Sequence, residues 1–140
     1  MMPDRDTCLF CKIADKKIKA FVLYEDEHSV VFLDIQPRVE GHVVVVPKVH
    51  AAALVDMSEE EIGPLFSGVK HAAKIVSGAL KVDGLTIGIN QGSVSGQTIN
   101  HLHVHVFPRF KGDGGGSMHS IVNVPSVHSV EEIYKKIKQN

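Results

Sequence analysis

Residues 101–107 read HLHVHVF, three histidines in alternation with aliphatic residues. In a strand, alternate side chains share a face. His101, His103 and His105 are therefore expected on one side, and Leu102, Val104 and Val106 on the other. Same-face neighbours along a strand lie about 6.6–6.8 Å apart. Three uses compete for such a row. It can be a polar solvent face, which is the ordinary reading for a lone histidine. It can ligate a metal. Or one neutral imidazole, with a reference pKa of about 6.5, can act as a nucleophile. Just upstream lies NQGSVSGQT, where Gly92 and Gly96 bracket SVS and Gln97 and Thr98 follow. Glycines let backbone N–H groups approach an anion, and Gln and Thr side chains add hydrogen bonds. An anion cradle beside an imidazole suits attack on phosphorus.

A second group is Cys8 and Cys11, the only two cysteines. In a reducing cytosol a structural disulfide is not expected. Redox chemistry, a metal site or two unrelated thiols in a short N-terminal loop remain.

The elements that must position these groups follow from periodicity. FVLY, HSVVFLDI and HVVVVP are β segments, the last apolar throughout as for a strand buried on both faces. PRVEG is a turn. Ser58 with Glu61 has the spacing of a capping box. Ile62, Leu65, Phe66, Val69, Ala73, Val76 and Leu80 then recur at helical spacing. LTIGIN is a further strand and the histidine segment the next. GDGGGS is expected to be a mobile loop, and Ser129 with Glu132 opens a short helix to Lys138. Short links between strands favour antiparallel pairing. The expected fold is α+β: an antiparallel meander of about five strands, one long helix and a short C-terminal helix, in a single domain over residues 1–140.

Composition sets the outer limits. The 140 residues are 44% hydrophobic and 22% charged, with a net charge of −1 and nine histidines. No basic excess points to nucleic acid. No apolar run reaches membrane-span length, and MMPDRDTC has no apolar signal core, so a cytoplasmic location is expected.

NQGSVSGQTINHLHVHVFPR resembles the signature of the histidine-triad (HIT) nucleotide-binding hydrolases and transferases. CLFCKI, LYEDE, FLDIQP and GHVVVVPKVH, upstream and in order, resemble that family too. The resemblance implies an antiparallel sheet with flanking helices, a homodimer, and catalysis that needs no metal. It makes His103 the nucleophile toward the α-phosphate of an AMP- or ADP-like nucleotide, purine favoured, through a nucleotidyl-histidine intermediate. It places His105, Gln97 and Thr98 at the reacting phosphate, and Asn90 and Gly96 among the phosphate contacts. Asp34 would bind the ribose hydroxyls, Phe32 and Ile35 would line the base pocket or simply be core, and His42 would stand beside the site. It further implies a structural zinc held by Cys8, Cys11, His50 and His101, as in some microbial members.

Within the family the chain has no tryptophan, which the phosphoramidase branch often places near its C-terminus, and VFPRFKGDG looks more like the dinucleoside polyphosphate branch. The expected activity is hydrolysis of a dinucleoside polyphosphate or a nucleoside phosphoramidate. The rivals are a non-enzymatic nucleotide-binding or scaffold protein, and a zinc protein in which all three triad histidines bind metal. His28, His71, His119 and His128 carry no motif, and the segment 111–140 after the signature is a C-terminal extension.

Overall fold

The computed structural model describes residues 3–139; Met1, Met2 and Asn140, which the expected domain limits include, lie outside them. Five strands form one antiparallel sheet: β1 (Val22–Glu25), β2 (Ser29–Leu33), β3 (Val43–Pro47), β4 (Gly84–Gly88) and β5 (Val104–Arg109). Its spatial order is β1-β2-β3-β5-β4. The first three strands meander. The chain then leaves through the long helix α3 (Glu59–Leu80), and β5 inserts between β3 and β4. The other helices are α1 (Pro3–Thr7), α2 (Leu9–Ala14) and α4 (Val130–Lys138). Among the described residues no helix is long and apolar enough to cross a membrane.

The sheet divides two layers, and β3 shows why its sequence is apolar throughout. Val43 and Val45 face α3, packing with Leu65, Val69, Ala72 and Val76. Val44 and Val46 face α2, packing with Phe10, Cys11, Ile13 and Phe32. Each such burial contributes on the order of 1.5–3 kcal/mol. The helix lies against the sheet at Gly68, where a Cβ would collide with the Ser29 side chain.

Several expectations change. Ser58 is the N-cap of α3, but its side chain makes no capping bond, and Glu61 instead lies 3.5 Å from the His28 imidazole. Phe66 and Leu80 point outward. The capping box at Ser129 and Glu132 is present. The segment around Cys8 and Cys11 is helical rather than a loop: Cys8 caps α2, its sulfur accepting from the Cys11 N–H. GDGGGS is folded back rather than free. Arg109 donates to both Asp113 carboxylate oxygens, to Thr86 Oγ1 and to the Gly116 carbonyl. Asp113 in turn accepts from the Phe110 and Gly115 N–H groups.

Candidate functional site

The histidine segment is not one strand. Ladder pairing begins only at Val104, so His101 and His103 precede β5, correcting the expected strand of 101–107. Two backbone bonds account for this: the His101 N–H bonds to the Ile99 carbonyl, and the Leu102 N–H bonds to the carbonyl of Ala51, distant in sequence, which ties the segment to a loop. The division of faces survives. Leu102, Val104 and Val106 are buried against α3. The three imidazoles lie on the other side: Phe10 meets His101 and His103 edge-on, and His103 meets His105, with ring centroids 5.0–5.9 Å apart.

His101 and His103 are wired oppositely. The His101 Nε2 lies 2.9 Å from the Pro47 carbonyl. A carbonyl only accepts, so Nε2 carries the proton and Nδ1 presents a lone pair. The His103 Nδ1 lies 2.7 Å from the His101 carbonyl. Here Nδ1 carries the proton, and Nε2 is the free lone pair. His103 lines a cleft of about 540 Å³.

The His101 lone pair faces the cysteines. Its Nδ1 is 3.3 Å from Cys8 Sγ, 3.4 Å from Cys11 Sγ and 3.3 Å from His50 Nδ1; the His50 Nδ1 is 3.2 Å from Cys11 Sγ. All four candidate ligand atoms lie within 4.8 Å of one another. A tetrahedral zinc with Zn–N near 2.0–2.1 Å and Zn–S near 2.3 Å separates N from N by about 3.3 Å and S from N by about 3.5 Å. The geometry fits that ion. The Pro47 carbonyl acts as the outer partner that orients a ligating imidazole. Without a cation, burial and the adjacent Cys8 sulfur push the Cys11 thiol up to about 12. Arg5 stands beside the group, its guanidinium 3.7 Å from Cys11 Sγ and bonded to the Lys48 carbonyl and Asp15.

A second cluster, Asp34, His42 and His105, also brings three candidate ligand atoms together. Its hydrogen bonds favour a proton chain over a metal. The Arg38 backbone N–H points at His42 Nδ1, 3.2 Å away, so that nitrogen is an acceptor and Nε2 is protonated. The His42 Nε2 is 2.9 Å from His105 Nδ1 and 3.6 Å from Asp34 Oδ2. His105 Nδ1 therefore accepts, and its Nε2–H is the remaining donor. Burial, with the neighbouring His103 and His42 imidazoles, pushes the His105 pKa down to about 4. Burial likewise lowers that of His42. Both are neutral near pH 7. The cleft thus has an acceptor on His103 beside a donor on His105.

Around this pair the cleft collects Phe32, Asp34, Ile35, His42, Asn90, Gly96 and Thr98, all expected from the sequence. Phe32 is buried, whereas Ile35 is 81% exposed on the rim. Asp34 Oδ1 accepts from the Gln36 N–H, which fixes its carboxylate. Gly92 and Gly96 have φ of +87° and +107°, the left-handed region that glycine tolerates. Gln97 is a correction. Its carbonyl oxygen accepts from the Gly92 N–H, and its amide donates to the Ala52 and Ile99 carbonyls. The side chain braces the glycine loop, and Gln97 is not among the residues lining the cleft. The sequence reading also missed Leu9, Phe10 and Ile13, which line the cleft from α2. The apolar residues woven through CLFCKI were the available signal. Of the four other histidines, His28 faces Glu61, His71 stacks on Tyr24, and His119 and His128 are exposed.

Comparison with known proteins bears on the family and the fold. The model of the HIT domain matches residues 15–112. An uncharacterized HIT-like protein of Methanocaldococcus jannaschii is 42% identical over 133 residues, covering 94% of this chain and 98% of its own. An adenosine 5′-monophosphoramidase of Saccharomyces cerevisiae is 38% identical over 102 residues, covering 73% of this chain and 62% of its own. The crystal structure of a zinc-bound histidine triad family protein from Mycobacterium smegmatis superposes with a TM-score of 0.73 at 36% identity, over 79% of this chain and 80% of that one.

Proposed function

The chain belongs to the HIT domain family, and from that premise we propose that it is a nucleotide hydrolase acting through a covalent nucleotidyl-histidine. The opposite polarity of two neighbouring imidazoles carries this reading: His103 offers a lone pair to the cleft, and His105 offers a proton. An unprotonated nitrogen held by the backbone toward the cleft, beside a donor, is the arrangement that nucleophilic attack on a phosphate requires.

In the first step His103 Nε2 forms a bond to the α-phosphorus of a nucleoside 5′-phosphate derivative, and the bond to the leaving group breaks. The Nδ1–H bond to the His101 carbonyl strengthens as the ring gains charge, which stabilises the intermediate. The His105 Nε2–H supports a phosphate oxygen or the departing group. In the second step water attacks phosphorus and His103 leaves. Asn90, Gly96 and Thr98 hold the phosphate, with Gln97 positioning the loop. Asp34 receives the ribose hydroxyls. Phe32 and Ile35, with Leu9, Phe10 and Ile13, offer apolar surface to a purine. Cys8, Cys11, His50 and His101 would hold a zinc ion, which supplies a structural cross-link between α2 and the sheet when bound. The yeast phosphoramidase supports a phosphorus substrate of this type. A homodimer belongs to the same proposal. Among the described residues the outer edge of β4 carries no strand partner, and light scattering tests the proposal directly.

The test is intact-protein mass spectrometry of wild type and His103→Ala, mixed with adenosine 5′-phosphoramidate or a diadenosine polyphosphate and quenched in alkaline denaturant, where a phosphorus–histidine bond survives. An AMP-sized adduct on wild type alone is the expected result. Neither adduct nor turnover with any adenylated substrate would leave a nucleotide-binding module instead.

A further inference from the structure

Arg5 stands three residues before Cys8, which stands three before Cys11. The Cys8 N–H bonds back to the Arg5 carbonyl, so α1 leads directly into the cap of α2. Like the two cysteines, Arg5 precedes residues 15–112, which match the family model. Its partly exposed guanidinium divides its donors among three segments. Nη1 donates to the Lys48 carbonyl at 2.8 Å and, over 3.7 Å, to Cys11 Sγ. Nη2 donates to Asp15 Oδ1 at 2.6 Å. Asp15 is the C-cap of α2, and Lys48 lies two residues before His50. One planar cation therefore ties together the segments that carry Cys8, Cys11 and His50.

From this arrangement, and resting on the zinc reading above, we infer that Arg5 is the outer partner of the Cys11 thiolate, a charged donor that strengthens the hold of Cys8, Cys11, His50 and His101 on a divalent cation. A cysteine ligates as the thiolate. Cys11 is fully buried, and an anion taken from water needs a donor in place of the lost hydration. Other members of the group have theirs within the backbone. Cys8 Sγ accepts from the Cys11 N–H at 3.4 Å, and His101 Nε2–H has the Pro47 carbonyl. For Cys11 Sγ the guanidinium fills that place. Zinc with two thiolates and two neutral imidazoles carries no net charge, so Arg5 acts on the sulfur rather than balancing the ion. A guanidinium bonds a thiolate more strongly than a thiol, so the contact favours the loaded centre over the empty one. Arginine suits the position because it stays charged and its fork serves several acceptors at once. Asp15 grips one arm, which aims the other at Lys48 and Cys11.

Two measurements decide it, neither of which needs turnover. In the first, the full chain is stripped of metal and titrated with zinc in competition with a chromophoric chelator, as wild type, Arg5→Gln, Arg5→Lys and Asp15→Asn. Arg5→Gln is expected to raise the zinc Kd by about 10–100-fold, the usual cost of losing an outer partner. Arg5→Lys keeps a cation within reach of the sulfur and is expected to restore most of the loss. Asp15→Asn removes the ion pair but leaves the sulfur contact, and its Kd is expected near that of wild type. The second measurement replaces zinc with cobalt(II). Loss of the donor raises the energy of the sulfur lone pair. The sulfur-to-cobalt charge-transfer band is therefore expected to move to longer wavelength in Arg5→Gln and to stay in place in Asp15→Asn. An unchanged Kd and band in Arg5→Gln overturn the inference and leave the zinc reading standing. Equal losses of affinity in all three variants, with the cobalt band unmoved, make Arg5 a brace for α1 and overturn it as well. Wild type that takes no zinc from the chelator overturns the zinc reading and the inference together.

Discussion

His101 and His103 are two residues apart, share a sheet face and touch the same phenylalanine, yet they serve different regions. The side chain of His101 belongs to a closed group of two thiols and a second imidazole. That of His103 opens into a cleft. The difference lies in which ring nitrogen meets a carbonyl oxygen. For His101 it is Nε2, for His103 Nδ1, and in each case the other nitrogen is left to work. The lesson is that residue type and spacing place an imidazole, whereas the backbone acceptor beside it decides its chemistry. One residue also joins the two regions. The His101 side chain faces the cysteines while its own carbonyl orients His103.

The sharpest way to break this comparison is to exchange losses between the regions. His103→Ala is expected to reduce turnover by about 10⁴-fold or more, while zinc content by elemental analysis stays at that of wild type. A parallel fall in zinc would place His103 among the ligands and erase the distinction. Cys11→Ser is the reciprocal case. It should remove the metal and lower the thermal midpoint substantially, because such a group forms only in the folded chain. Metal content unchanged by Cys11→Ser, or near zero in wild type purified without chelator, would dissolve the first region altogether.

Smaller effects test the wiring within the cleft. His42→Phe takes away the donor to His105 and the acceptor of the Arg38 N–H; a loss of about 10–100-fold in kcat is expected, with zinc retained. Acid adds a stability test. The His105 pKa is lowered to about 4 in the fold, against about 6.5 in an unfolded chain. A lowered histidine pKa contributes stability that is present above about pH 6.5 and is lost as pH falls toward 4. Urea unfolding across that window should show the decline, and His105→Gln should reduce it, leaving the part due to His101, whose pKa burial lowers to about 4 as well. Phe10→Leu is the mildest probe. It withdraws the edge-on ring from His103, 5.0 Å between centroids, and a several-fold fall in kcat without loss of zinc is expected.

Much of this was legible beforehand because it rests on strict patterns. The VVVVP run announced a strand covered on both sides, and the alternation in HLHVHV separated packing residues from chemical ones. The limits were set by contacts that no local pattern encodes. Leu102 bonds to Ala51, far away in sequence, and so delays the start of β5 to Val104. Gln97 has the composition of a phosphate ligand, but two distant carbonyls and a glycine N–H claim its amide. The glycines of GDGGGS suggest mobility until Arg109 is seen to collect Asp113 and Gly116. Ser58 had the right neighbour at the right spacing, yet Glu61 turns to His28 instead.

The alternation across residues 101–106 also bears on how such a chain can change over generations. Leu102, Val104 and Val106 look only toward α3, so a new residue there is judged by whether the sheet still closes on its helix. The histidines between them look only toward the thiols and the cleft. A lineage could therefore drift in thermal tolerance through one set of letters while its reaction stands still. It could equally surrender its reaction through the other set and remain a sound fold.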